Sequence, residues 1–160
     1  MPSSMKLRNS LWILTVAAMA LASCERKVIY SHYEPTSVAG WGRSDTLTFC
    51  VAPVPEDGLY QEQVGLRITS DYPFMGLSLE VEQHMLHSLM VRRDTLHAEV
   101  VDRDGNFLGE GIGYFQYRFK LTELPLNAGD TLLVHVRHVM MREILPGVCD
   151  VGVTVRRVKN

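Results

Sequence analysis

No stretch of this 160-residue chain reaches the roughly 20 consecutive apolar residues that a membrane-spanning helix requires. Past residue 23, no window repeats apolar residues at i, i+3 and i+4, so a helical bundle is excluded. Only short helical turns are expected, near His84–Val91 or Arg142–Leu145. Basic residues form no clustered face: 16 Lys+Arg are interspersed with 18 Asp+Glu, which excludes a nucleic-acid footprint. There is no Gly-x-Ser-x-Gly elbow, and no serine stands in a recognisable pairing with histidine and acid. Cys50 has no helix N-terminus to lower its pKa. The chain is read as a non-enzyme. Internal repeats, low-complexity tracts and a second-domain linker are also lacking.

What is present begins at residue 1. Lys6 and Arg8 precede the apolar run Leu11–Ala20, and Leu21-Ala22-Ser23-Cys24 follows. A basic start, about a dozen apolar residues and a small-residue exit describe an export signal. Leu-Ala-Ser-Cys resembles the lipobox of bacterial lipoproteins. That resemblance implies cleavage between Ser23 and Cys24, a diacylglycerol on the Cys24 thiol and an acyl chain on its new amino group. A single fatty chain binds a membrane only marginally, whereas the three implied here are ample. No other cofactor is expected.

Removing residues 1–23 leaves 137 residues with 14 Lys+Arg and 18 Asp+Glu, a balance of −4. Residues 24–44 read as a lipidated N-terminus and tether, broken by Pro35, Gly40 and Gly42, with a later part that folds back on the domain. Residues 45–160 then alternate with period two: Thr46–Val51, Val64–Ile68, Leu77–Glu82, Thr95–Val101, Phe107–Leu108, Phe115–Leu121, Thr131–His138 and Val151–Arg156. About eight strands with one apolar face each predict an antiparallel β-sandwich, jelly-roll or immunoglobulin-like.

Candidate chemistry is sparse. His84 and His87 are three apart, as are His135 and His138; the second pair lies in a strand pattern, where that spacing sends side chains to opposite faces, and the first lies in an expected loop with no cysteine and only Glu80 and Glu82 as nearby acids. No metal site is predicted. Asp102-Arg103-Asp104-Gly105-Asn106 echoes a calcium loop, yet its glycine comes too early and the terminal glutamate is missing; Asp-Gly instead signals a type I′ hairpin. Alternation and turn chemistry account for Glu80/Glu82 and Asp102/Asp104. Trp41, Tyr60, Tyr72, Phe74 and Tyr114 sit in or beside loops, where they close the ends of the core or, in an alternative reading, stack sugars. Cys50 and Cys149 form the one available disulfide pair once Cys24 is lipidated. Their strand phases disagree, since Cys50 falls on the polar side of Leu47-Phe49-Val51.

Three stretches, taken in order, resemble the gliding-motility lipoprotein family GldH of the Bacteroidetes. The first is the lipobox cysteine, the tether with Trp41-Gly42, and Asp45-Thr46-Leu47-Thr48-Phe49. The second is Leu66–Leu79, which holds Tyr72-Pro73-Phe74. The third runs from His138 through Met140-Met141-Arg142 and Leu145-Pro146-Gly147 to Asp150-Val151-Gly152. Gly76, Met141 and Cys149 depart from the family pattern. The resemblance implies motility or type IX secretion proteins as partners; Glu25-Arg26-Lys27 lacks the acidic cluster of surface-exported lipoproteins of that phylum, so an outer-membrane protein facing the periplasm is expected. The resemblance marks Trp41, Tyr72, Pro73, His138, Arg142 and Asp150 as motif residues with structural or partner-facing roles. Pro73 suits an inter-strand crossing, Gly147 a turn, Gly152 a bulge or close approach, and Asp150 a tie on that turn.

Overall fold

The computed structural model describes residues 27–158, and in that range every regular element is a strand. Ten strands occur: β1 Val28–Pro35, β2 Trp41–Gly42, β3 Leu47–Val51, β4 Gly58–Thr69, β5 Gly76–Met85, β6 Met90–Glu99, β7 Tyr114–Leu126, β8 Leu132–His138, β9 Ile144–Leu145 and β10 Val148–Val158. They pair antiparallel into two four-stranded sheets, β1-β10-β4-β7 and β3-β8-β5-β6, with a two-stranded clip, β2-β9. The sandwich expected from alternation is what forms. Its core comes from the in-phase apolar residues: Val151, Val153 and Val155 on β10, Val64, Leu66 and Ile68 on β4, Leu77, Leu79 and Val81 on β5, and Val134 and Val136 on β8.

Several expectations are corrected. Residues 28–35 are an edge strand of the first sheet and not tether, because Tyr30 and Ile29 pack on the core while the backbone pairs with β10. Among the described residues the first strand thus begins at Val28. No helical turn forms near His84–Val91; those residues are the end of β5, a tight turn and the start of β6. Arg142–Leu145 is a bend leading into β9. The Asp102–Asn106 turn has positive φ at Gly105 alone, 87°, so it is not type I′. Asp102 builds it by accepting backbone N–H bonds from Asp104 and Asn106 at 2.9 and 2.8 Å. The irregularity in β10 lies between Val148 and Asp150, not at Gly152.

The register defines two ends. At one end Val28 starts β1, and the turn after β7 carries the chain from Leu126 to Leu132 across the sheets. The β5–β6 hairpin belongs to the same end, since Leu86 N–H donates to Thr131 O at 3.0 Å. The opposite end gathers Pro35, Leu47, Thr69, Gly76, Tyr114, His138 and Val148. β1 has eight residues, so the two ends stand about 26 Å apart.

Candidate functional site

The six motif residues gather at the end opposite Val28, where two buried aromatic turns organise them. Trp41 is fully buried, and its Nε1–H donates to Asp45 O at 2.9 Å. The Asp45 carboxylate in turn accepts Gly42 N–H at 3.1 Å, closing a turn that explains the Trp-Gly-x-x-Asp spacing. His138 meets the indole edge-on, with ring centroids 5.2 Å apart, and its Nε2 lies 3.2 Å from Trp41 O. A carbonyl partner requires a donor, so Nε2 carries the proton. Burial pushes the His138 pKa below its ordinary 6.5, which keeps the ring neutral. The β2-β9 clip covers this pair through Trp41↔Leu145 and Gly42↔Ile144.

The second turn belongs to Tyr72. Its hydroxyl donates to Gly76 O at 2.8 Å, and burial raises its pKa well above the ordinary 10. Phe74 packs edge-on at 5.5 Å, and Pro73 is exposed with a trans bond. Gly147 docks on this turn with φ 77°; a Cβ there would stand 2.5 Å from Tyr72 N. Its carbonyl accepts Thr69 N–H at 2.8 Å, joining the Pro-Gly stretch to the Tyr-Pro stretch. The motifs are thus halves of one packed unit.

Beside it, Asp150 reaches across the sheet to Arg67 at 3.7 Å instead of tying its own turn. The Arg67 guanidinium sits 4.3 Å over the Tyr33 ring, and that ring lies flat over Gly65 and Gly152. A Cβ at Gly152 would come within 2.7 Å of the ring, which is the close approach its glycine serves. Between this group and the loop after β1 opens a cleft of about 730 Å³, lined by Thr36, Val38, Arg67, Asp71, Tyr114 and Asp150 among others. Exposed Val38, Ile112, Tyr114, Met141 and Ile144 decorate the same end. Arg142 is exposed there and makes no ion pair with a described residue.

Cys50 and Cys149 are free and belong to opposite sheets. Cys50 points to solvent from the edge strand β3, away from the other sheet, so no bridge joins the pair, as their disagreeing strand phases implied. Trp41 and Tyr72 present no open ring face for a sugar, being 0% and 3% exposed; they close the core. Only Tyr114, 62% exposed, keeps one among the five loop aromatics, since Phe74 is half-buried on the core and Tyr60 is fully buried. Among the described residues no cluster of three or more His, Cys, Asp or Glu is placed to hold a metal ion. His84 instead pairs with Glu82 and stacks edge-on with His135, within a charged outer face where Arg137 binds Glu80 and Arg93 binds Glu82. Ser23 and Cys24 lie outside the described residues.

Sequence reasoning missed one group altogether. Glu62 is fully buried between the sheets, and Gln83 from the facing sheet donates to its Oε2 at 3.0 Å. Gln83 also donates to Asp94 at 3.2 Å, and Arg92 clamps Asp94 with two bonds, so a polar chain runs from core to surface. Burial raises the Glu62 pKa to about 7. The signal was available. Glu62 shares the phase of Tyr60, Val64 and Leu66, and Gln83 that of Leu79, Val81 and Met85.

A family model described as GldH lipoprotein matches residues 28–155. The gliding motility lipoprotein GldH of Flavobacterium johnsoniae is 26% identical over 160 residues, covering 96% of this chain and 99% of that one. Among solved structures, a family GH115 4-O-methyl-α-glucuronidase with specificity for decorated arabinogalactans shares 13% identity at a TM-score of 0.47; the match covers 85% of this chain and 18% of the enzyme. A protein of Sulfurospirillum deleyianum shares 11% identity at 0.47, covering 82% of this chain and 99% of that one. At these scores the structural likenesses say nothing of function. The family match across residues 28–155, nearly the whole described domain, does: this chain belongs to the GldH lipoprotein family.

Proposed function

We propose that this lipoprotein is a non-catalytic assembly component of the cell envelope. Diacylglycerol and an N-acyl chain on Cys24 hold it to the outer membrane, facing the periplasm, and its far end engages other envelope proteins. One observation carries the reading: the first strand begins at Val28 at one end, while the motif unit, the cleft and the exposed Met141 and Ile144 occupy the other. A short tether at the first end lifts the second about 26 Å off the lipid, within reach of partners. The motif residues support a scaffold role, since Trp41, Tyr72 and His138 spend their polar atoms on backbone groups. By family, the partners are proteins of gliding motility or type IX secretion.

Affinity capture of the lipidated chain from native membranes tests this. Motility or secretion-machinery subunits should co-purify, and Met141→Asp with Ile144→Asp should release them while leaving the fold unchanged. Unaltered capture by that variant would remove the far end as the binding face. Protease treatment of intact cells that strips the domain would overturn the periplasmic orientation.

A further inference from the structure

The β5–β6 turn and the start of β6 expose large apolar side chains where a solvent-facing hairpin is ordinarily polar. Leu86, Leu89, Met90 and Val91 are 49, 86, 60 and 58% exposed, so four of the six residues 86–91 at this tip are exposed and apolar, with the exposed His87 and Ser88 between Leu86 and Leu89. Leu89 sits at φ 54°, and it is the only non-glycine residue with positive φ among the described residues. That left-handed position favours glycine or asparagine, so a leucine there is held against local conformational preference. Backbone strain that retains an exposed apolar side chain points to a contact the isolated domain does not show.

The position of the tip identifies its occupant. Leu86 is hydrogen-bonded to Thr131 at the Val28 end of the sandwich. Val28 is four residues after Cys24, a span of about 14 Å at most when fully extended. A membrane held at Cys24 therefore lies against this end. Arg92 and Arg93 follow the tip directly, but Asp94 and Glu82 pair with them, so the tip offers apolar surface rather than net charge.

We propose that the β5–β6 tip is a second membrane contact: Leu86, Leu89, Met90 and Val91 enter the lipid surface to which Cys24 is anchored. Two points of attachment, on β1 and on the far pair of strands, fix the tilt of the sandwich. A lipid chain alone lets the domain swivel; the tip holds the motif end pointing away from the bilayer. The inference rests on the lipidation proposed above.

The test uses the lipidated chain in vesicles of phosphatidylethanolamine and phosphatidylglycerol, with and without brominated acyl chains. Trp41 is the only tryptophan after the signal segment and is buried at the opposite end, so its emission should be unaffected by bromine. In the Leu89→Trp variant the added emission should shift to the blue and fall at least twofold with brominated lipid. A chain that floats with vesicles yet shows no quenching overturns the tip contact and leaves anchoring intact. A chain that fails to float overturns the anchoring. In that case the same variant, held to nickel-chelating lipid through a histidine tag at position 24, decides the tip: quenching supports it and its absence refutes it. A blue shift insensitive to bromine, appearing only with membrane extract, means a protein occupant and also refutes it.

Discussion

Replacing Glu62 with Gln should make the protein more stable at alkaline pH and flatten its pH dependence. The folded carboxyl titrates near 7 against an ordinary 4.5, because burial disfavours its charge. Between those values the folded state holds a proton that the unfolded chain has released. This contribution to stability is fully present below pH 4.5 and is lost as pH rises to and through 7. At about 1.4 kcal/mol per pH unit the loss amounts to about 3 kcal/mol. Local geometry agrees: Glu62 Oε2 accepts from Gln83, but Glu62 Oε1 is buried without a partner, so a negative charge on this carboxyl is left half-compensated and a proton removes it. An amide at position 62 carries no charge at any pH and keeps an oxygen for the Gln83 bond. His138 works in the opposite sense, since its depressed pKa gives stability above about 6.5 that is lost as pH falls. The difference between native and E62Q proteins cancels that term. Urea unfolding of the mature chain with Cys24 replaced by Ser, at pH 5 and pH 8, measures it. The variant should gain about 3 kcal/mol relative to the native chain between those pH values. Parallel profiles for the two proteins would refute a buried, proton-holding Glu62.

Gly152→Ala should cost about 1–3 kcal/mol by driving a methyl into the Tyr33 ring, and most of that cost should vanish when Tyr33 is also changed to Ser; thermal unfolding of the four proteins closes the cycle. Gly147→Ala combines positive φ with a backbone clash on Tyr72, so a loss of at least about 2 kcal/mol in urea unfolding is expected, with no rescue from Tyr72→Phe. Leu89→Gly should instead raise stability by about 0.5–1 kcal/mol, because it relieves a left-handed leucine. Thiol titration of the native chain should find Cys50 reacting first and Cys149 slower, since burial raises the latter's pKa.

Period-two alternation was enough to read the sandwich, because each long strand buries one face and wets the other. The reading failed where other rules override alternation. Val28–Pro35 lacks a clean pattern because β1 is an edge strand with a register shift after Val28, and its outward Tyr33 covers glycines on the neighbouring strands. β7 shifts phase opposite Glu62 and Gln63, where an extra residue interrupts the ladder, so a single period cannot run its whole length. Motif residues were legible as a set, but their mutual packing was not. Nothing in sequence spacing says that Gly147 seats on Tyr72 or that His138 meets Trp41, because these contacts join segments some 75 to 97 positions apart. Asp150 paired across the sheet with Arg67 for the same reason: strand register, not turn chemistry, decides its neighbour. Glu62 and Gln83 were overlooked although each breaks an apolar phase, since each polar residue gains its partner only from the facing sheet.

Under the proposed function this domain acts through where it is held, one end on the lipid and the other presented to partners. Replacing Cys24 with Ala in cells that lack the native chain tests it most directly. The variant should unfold at the same temperature as the mature domain, leave the membrane fraction and fail to reverse any defect caused by the chain's deletion. A soluble, correctly folded Cys24→Ala chain that restored full function would contradict the claim.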